Sequence, residues 1–230
     1  MRMTYASGAF CRKWLAPALA VFVVIFLALS LPPYFTAGTR VPATFALHYP
    51  LLVAHVMFGS VAMVAALAQI WPRLRTGHPV LHRRVGRVYV GAAIPAALCA
   101  MVIGAATPFG PFLAVSNVFL AVLWLWFTVN GYLAARQRRF ADHRRHMVLS
   151  ATLALSIITN RLWTPILFIA MHPLRDSVFG GNEQHFLWFA AGLGAWLGWT
   201  IPFLAVRRWL NRKQVMAPSS ISQLTGMRPG

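Results

Sequence analysis

Acidic side chains are nearly missing from this chain. Asp142, Asp176 and Glu183 are the only three in 230 residues. Two-carboxylate hydrolysis and acid–base dyads therefore have almost nothing to draw on. Cysteine is equally scarce, with Cys11 and Cys99 alone. The topology derived below puts the first in a leader and the second inside a span, which argues against a structural disulfide. No C-x-x-C-H occurs, so c-type haem attachment is excluded. There is no Walker loop, no G-x-S-x-G and no H-E-x-x-H. Polar surface is short as well: 59% of the residues are apolar. A soluble domain of this size would need far more to stay dissolved.

What the chain does contain is six long apolar stretches, Trp14–Leu31, Leu51–Trp71, Val88–Thr107, Phe112–Ala135, Met147–Ala170 and Phe186–Val206. Each is near the length that a helix needs to cross a bilayer. The runs are continuous rather than alternating, which disfavours barrel strands. The fold expected is an all-α integral membrane protein, a six-transmembrane helix bundle. The net charge of +18 raises nucleic acid as a partner. Its distribution argues for the lipid bilayer and against nucleic acid. Of 21 Lys and Arg residues, 18 lie in the leader, the second and fourth gaps and the tail. Arg40 and Arg175 lie in the opposite gaps, and Arg161 lies within a span. The positive-inside rule then places both termini in the cytoplasm. Trp71, Trp163, Trp188 and Trp209 fall near span ends, as an aromatic belt would.

The domain reading is a basic cytoplasmic leader over 1–13, a membrane domain over 14–206 and a cytoplasmic tail over 207–230. The tail bears Ser, Pro and Gly without periodicity and is expected to be disordered. The first span also resembles a signal peptide with Ala28-Leu29-Ser30 as the cleavage site, but its long basic leader favours retention. Pro108-Phe109-Gly110-Pro111 predicts a tight turn, and Pro79 predicts that the third helix starts before its apolar part. Asp142 is expected to cap the fifth helix. A weak repeat relates Leu81-His82-Arg83-Arg84 to Asp142-His143-Arg144-Arg145, with the histidines 61 residues apart. Small and polar stripes predict the interior faces: Gly59, Ala62 and Ala66; Ala92, Ala96, Ala100 and Gly104; Asn117, Ala121, Trp124, Thr128 and Gly131; Gly194 and Gly198.

Arg161 is the residue most suggestive of chemistry, because a cation inside a span is costly. It lies about 13 Å from the outer boundary at helical rise. Its plainer account is a snorkelling side chain on lipid phosphate. Otherwise it and Asn160 would hold an anionic or carbonyl-bearing ligand. His55, at similar depth, suits ligand or proton chemistry, or simply a hydrogen bond to a neighbouring helix. His48 is expected at the outer mouth, and His172 and His185 in the next outer loop. His82 and His143 share a depth on two helices, as a bis-histidine b-type haem requires, with arginines for its propionates. The plainer account is ordinary interfacial charge. His143 and His146, at i and i+3, lack further ligands for a metal.

The run Leu81-His82-Arg83-Arg84-Val85-Gly86-Arg87-Val88-Tyr89, the later His143-Arg144-Arg145-His146-Met147, and Arg161-Leu162 resemble a bacterial family of multi-span membrane proteins, domain of unknown function 2306. The resemblance covers roughly 48–168, with His146 standing where the family pattern often has Trp. It implies a multi-pass protein of the bacterial inner membrane without a particular activity, and it singles out His55, His82, Arg87, His143 and Arg161. A looser likeness is to six-span b-type cytochromes. The fourth span here departs from them, with Asn117 and Asn130 and no histidine.

Three functional readings follow. The leading one is a small redox or quinone-associated module. In it, haem b sits between His82 and His143, and His55, Asn160 and Arg161 form an outer-leaflet site for a quinone carbonyl. The second is a transporter or channel for a small solute, lined by Arg161 and His55. The third is a non-catalytic scaffold or partner of another membrane subunit, with basic loops on anionic lipid.

Overall fold

The computed structural model describes residues 5–35 and 41–215, and all of these are helix or connecting turn. The helices are α1 (Tyr5–Ser30), α2 (Pro32–Phe35), α3 (His48–Ile70), α4 (Pro72–Gly77), α5 (Pro79–Ala105), α6 (Pro111–Arg136), α7 (Phe140–Met171), α8 (Leu174–Ser177) and α9 (Glu183–Val215). Helix is what uninterrupted apolar sequence requires in lipid, since it satisfies every backbone group within the segment. Five helices, α3, α5, α6, α7 and α9, are long and apolar enough to cross a membrane. The stretch Ala16–Ser30 of α1 is apolar but shorter. The leader residues 1–4, Arg40, and the tail over 216–230 lie outside the described residues.

Proline and glycine punctuate the bundle as their chemistry dictates. Pro79 and Pro111 occupy the first turns of α5 and α6, where no N–H is needed. Gly110 precedes α6 with φ of 86°, and a Cβ there would lie 2.6 Å from the Trp188 ring. Asp142 does not cap α7. The cap residue is Arg139, and Asp142 lies in the first turn, where it pairs with Arg139 at 2.5 Å. A carboxylate in that turn still favours the helix dipole.

Neighbouring helices pack in the order α3–α5–α6–α7–α9, with α6 also against α9. Alanines set the α3–α5 spacing: Ala62 and Ala66 face Ala92, Ala93, Ala96 and Ala97, all buried. Glycines set the others. A Cβ on Gly104 would lie 2.8 Å from Asn117 Cβ, and one on Gly198 would lie 2.7 Å from Asn160 Cα. Such small-residue seams are how helices approach closely where lipid offers no hydrophobic drive. Pro202 lies inside α9 and cannot donate to the Gly198 carbonyl one turn back. The Thr159 hydroxyl of α7 donates to that carbonyl instead.

Between α5, α6 and α7 lies a buried chain of side chains with one consistent proton order. The Thr128 hydroxyl donates to the Trp124 carbonyl at 2.7 Å. Its oxygen must then accept from Ser150, 2.7 Å away. Ser150 in turn accepts from the Tyr89 hydroxyl at 2.6 Å, and Tyr89 accepts from Trp124 Nε1 at 3.2 Å. Every hydroxyl proton is used, as a dry interior demands.

Candidate functional site

A cavity of about 370 Å³ occupies the half of the bundle remote from the basic clusters. It lies where α3 and α7 meet only lightly, with α5 and α6 behind and α1 in front. His48, His55, Gly59 and Ser60 of α3 border it, as do Asn117 and Trp124 of α6. Ser156, Asn160 and Arg161 of α7 and Trp199 of α9 complete the polar and aromatic wall. His55, Asn160 and Arg161 therefore line one space, together with His48 and Asn117. No Asp or Glu lines it.

Both histidines are held by hydrogen bonds, and His55 in a defined tautomer. His55 Nδ1 lies 2.9 Å from the Ala96 carbonyl, which only accepts, so Nδ1 carries the proton. His48 Nδ1 lies 2.9 Å from Thr44 Oγ1. Thr44 holds that nitrogen from two sides: its backbone N–H donates to His48 Nδ1 at 3.4 Å, and its hydroxyl, beside the same ring nitrogen, also reaches the Ala106 carbonyl at 2.7 Å. In a neutral His55 ring Nε2 is then the acceptor. His48, the first residue of α3, is buried at 2% exposure and belongs to the cavity wall at that end.

Asn160 is oriented by its neighbours. The Thr164 hydroxyl shares its one proton between the Asn160 backbone carbonyl at 3.0 Å and Asn160 Oδ1 at 3.1 Å, and the amide nitrogen keeps its own protons to donate. The close approach at Gly198 fixes the same turn of α7. Arg161 follows directly, ten residues before the end of α7, about 15 Å along the helix. The two ion pairs among the described residues are Arg139–Asp142 and Arg175–Glu183, and Arg161 belongs to neither.

The remaining candidates lie elsewhere. His82 and His143 stand in the first turns of α5 and α7, at the basic end, and neither borders the cavity. His143 Nδ1 donates to the Gly131 carbonyl of α6 at 2.8 Å. The His82 carbonyl accepts from Gln69 Nε2 of α3 at 2.8 Å. The two residues are thus tied to different helices. His146 Nδ1 donates to the Asp142 carbonyl at 2.8 Å. His172 and His185 are exposed, and the His185 ring lies beside Trp188. No group of three or more His, Cys, Asp or Glu converges among the described residues. Thr44 and Trp199 have no counterpart in the sequence reading. Nor does the Tyr89–Ser150 bond, although the two residues are 61 apart, the same offset that relates His82 to His143.

Bundle and cavity together define an α-helical, multi-pass membrane protein. The chain belongs to the family described as "Predicted membrane protein (DUF2306)", which matches residues 52–204. The match runs past the resemblance seen around 48–168 and takes in most of α9; it leaves out α1 and His48. No curated protein and no solved structure matches the chain.

Proposed function

We propose that this protein crosses the bacterial inner membrane six times, with α1 as the first span and both termini cytoplasmic. In this reading it binds the oxygen-bearing head of a membrane-soluble molecule, in the first instance a quinone. The 18 clustered cations support the orientation. The observation that carries the binding reading is Arg161 on a cavity without a carboxylate. A guanidinium cannot be neutralised, and a cation at such depth calls for an acceptor. A carbonyl oxygen would accept from Arg161 and from the Asn160 amide. On the opposite wall, His55 Nε2 would accept from a hydroxyl of the reduced form.

Trp124 and Trp199 border the cavity and supply the readout. Titrating the purified protein in nanodiscs with decylubiquinone is expected to quench tryptophan fluorescence saturably. Arg161→Ala should weaken that binding at least about tenfold, the loss of one good charge-assisted bond. Quenching no greater than that of tryptophan dissolved in the same lipid would reject the quinone reading. Arg161-dependent flux of a polar solute in proteoliposomes would favour a carrier instead. A stably co-purifying subunit with neither property would favour a scaffold. Haem b between His82 and His143 is the redox part of the reading; its support is that both stand in the first turns of their helices, with the His143 Nδ1 proton on the Gly131 carbonyl and Nε2 left to a ligand. A bound haem would supply one-electron chemistry, while the two imidazoles would fix its iron. Protein expressed with haem supplied should then show a Soret band, and its absence would remove the haem while leaving the cavity.

A further inference from the structure

The next step rests on the reading that the cavity receives a polar head from the membrane. We infer that the ligand is a single-tailed amphiphile whose tail leaves the protein sideways, through the seam between α3 and α7 beneath α1.

The first observation is the packing. Four helix pairs, α3–α5, α5–α6, α6–α7 and α7–α9, close tightly on one another, whereas α3 and α7 barely meet. Small residues draw the tight pairs together, at Ala62 and Ala96 in one and at Gly198 in another. The seam between α3 and α7 is covered by α1, which touches both lightly.

The second observation is the chemistry of the walls. Most of the polar groups belong to α3 and α7, His48, His55 and Ser60 on one and Ser156, Asn160 and Arg161 on the other, with Asn117 of α6 behind. The side supplied by α1 is apolar at Phe26, Leu27 and Leu31, with Ser30 between them. A head finds most of its hydrogen bonds on one side, and a hydrocarbon tail finds a mainly apolar surface on the other, with Ser30 and Tyr34 its polar points.

The third observation is what lies behind α1. Val21, Phe22, Val24, Ile25 and Leu29 are each more than half exposed on its outer face. Apolar side chains so placed on a membrane helix belong in lipid. The seam therefore leads from the cavity to acyl chains rather than to water. A volume near 370 Å³ lies at the small end of ligand sites and suits one compact head with the start of one chain.

Photolabelling tests the route. Two probes carry a diazirine at the tail terminus, one on a decyl benzoquinone and one on stearic acid, and each is added to the full-length protein in nanodiscs. Labels mapped to Phe26, Leu27, Leu31 and the facing turns of α3 and α7 are expected, competed by unlabelled probe. Leu27→Trp narrows the seam and should cut that labelling about tenfold, as lost apolar burial of this size would. A Leu29→Trp change on the outer face of α1 should leave it intact. Labels concentrated on residues 106–111, at the end of the bundle, would overturn the inference, and so would the absence of competed labelling with both probes. Competed seam labelling by stearic acid alone upholds the route and sinks the quinone reading. Saturable tryptophan quenching without seam labelling upholds that reading and sinks the route.

Discussion

The two halves of the same bundle are built differently. Towards the basic end the interior is filled, and a cross-bridge ties α5 to α7: the Tyr89 hydroxyl reaches Ser150 past Thr128 and Trp124. Towards the other end the helices close in pairs, α5 on α6 at Gly104 and α7 on α9 at Gly194 and Gly198. There α3 and α7 meet only lightly, and the cavity lies between them. Close pairing of some helices is thus what leaves others apart. One half is tied by a saturated chain of hydroxyls, while the other sets its donors and acceptors around a cavity.

This contrast can be broken from either side. The largest effect is expected from Tyr89→Ala, which empties a site that is 1% exposed. Truncating a buried aromatic costs about 3–5 kcal/mol, so the thermal midpoint in detergent should fall sharply. Gly198→Ala comes next, since its Cβ would press on the Asn160 backbone at 2.7 Å. A loss of about 1–3 kcal/mol in the same assay is expected. Gly59→Ala is the matched control, with nothing within 4 Å of the added atom, and should be neutral or slightly stabilising. Arg161→Ala should separate the halves most cleanly: ligand quenching weakens at least about tenfold while stability moves by less than about 0.5 kcal/mol. The smallest effect belongs to Thr128→Val, one link of the hydroxyl chain. Interhelical hydrogen bonds in membranes average about 0.6 kcal/mol, and a loss above about 2 would mean that the chain acts as a unit.

Orientation sharpens the same comparison. Single cysteines at Arg83 and Arg144 should label from one side of sealed vesicles, and one at Asn182 from the other. Labelling of Arg83 and Arg144 from opposite sides would undo the assignment of the cavity to the outer leaflet.

Five spans were legible because a bilayer imposes length and apolarity on each helix separately. Their cores agree with α3, α5, α6, α7 and α9 to within a few residues, and the polar extensions before α5 and α7 are those that Pro79 and the Arg-rich turns allow. Small-residue periodicity pointed to buried faces: Ala62, Ala66, Ala92, Ala96, Ala121, Trp124 and Thr128 are all buried. Which stripes meet was not legible, because a stripe of alanine fits any other. Depth brought His55 and Arg161 under suspicion together, and the shared cavity depends on a gap between two helices that no single-helix pattern encodes. His48 was undervalued because its partner, Thr44, lies before the helix begins. Matched depth related His82 to His143, and the fold sets both in the first turns of their helices, α5 and α7.

A helix carrying an arginine at such depth costs about 2.5–3.5 kcal/mol more to insert than its apolar residues suggest. Of the five spans, α7 and α9 are the least apolar, and they are also joined by close backbone contact at Gly194 and Gly198. Inserted as one hairpin, each can shelter the other's polar groups, with Thr159 already supplying the proton that Pro202 lacks. Enlarging Gly198 should therefore be felt first during biogenesis, as chains that stall at the translocon, before any mature protein exists to bind a ligand badly.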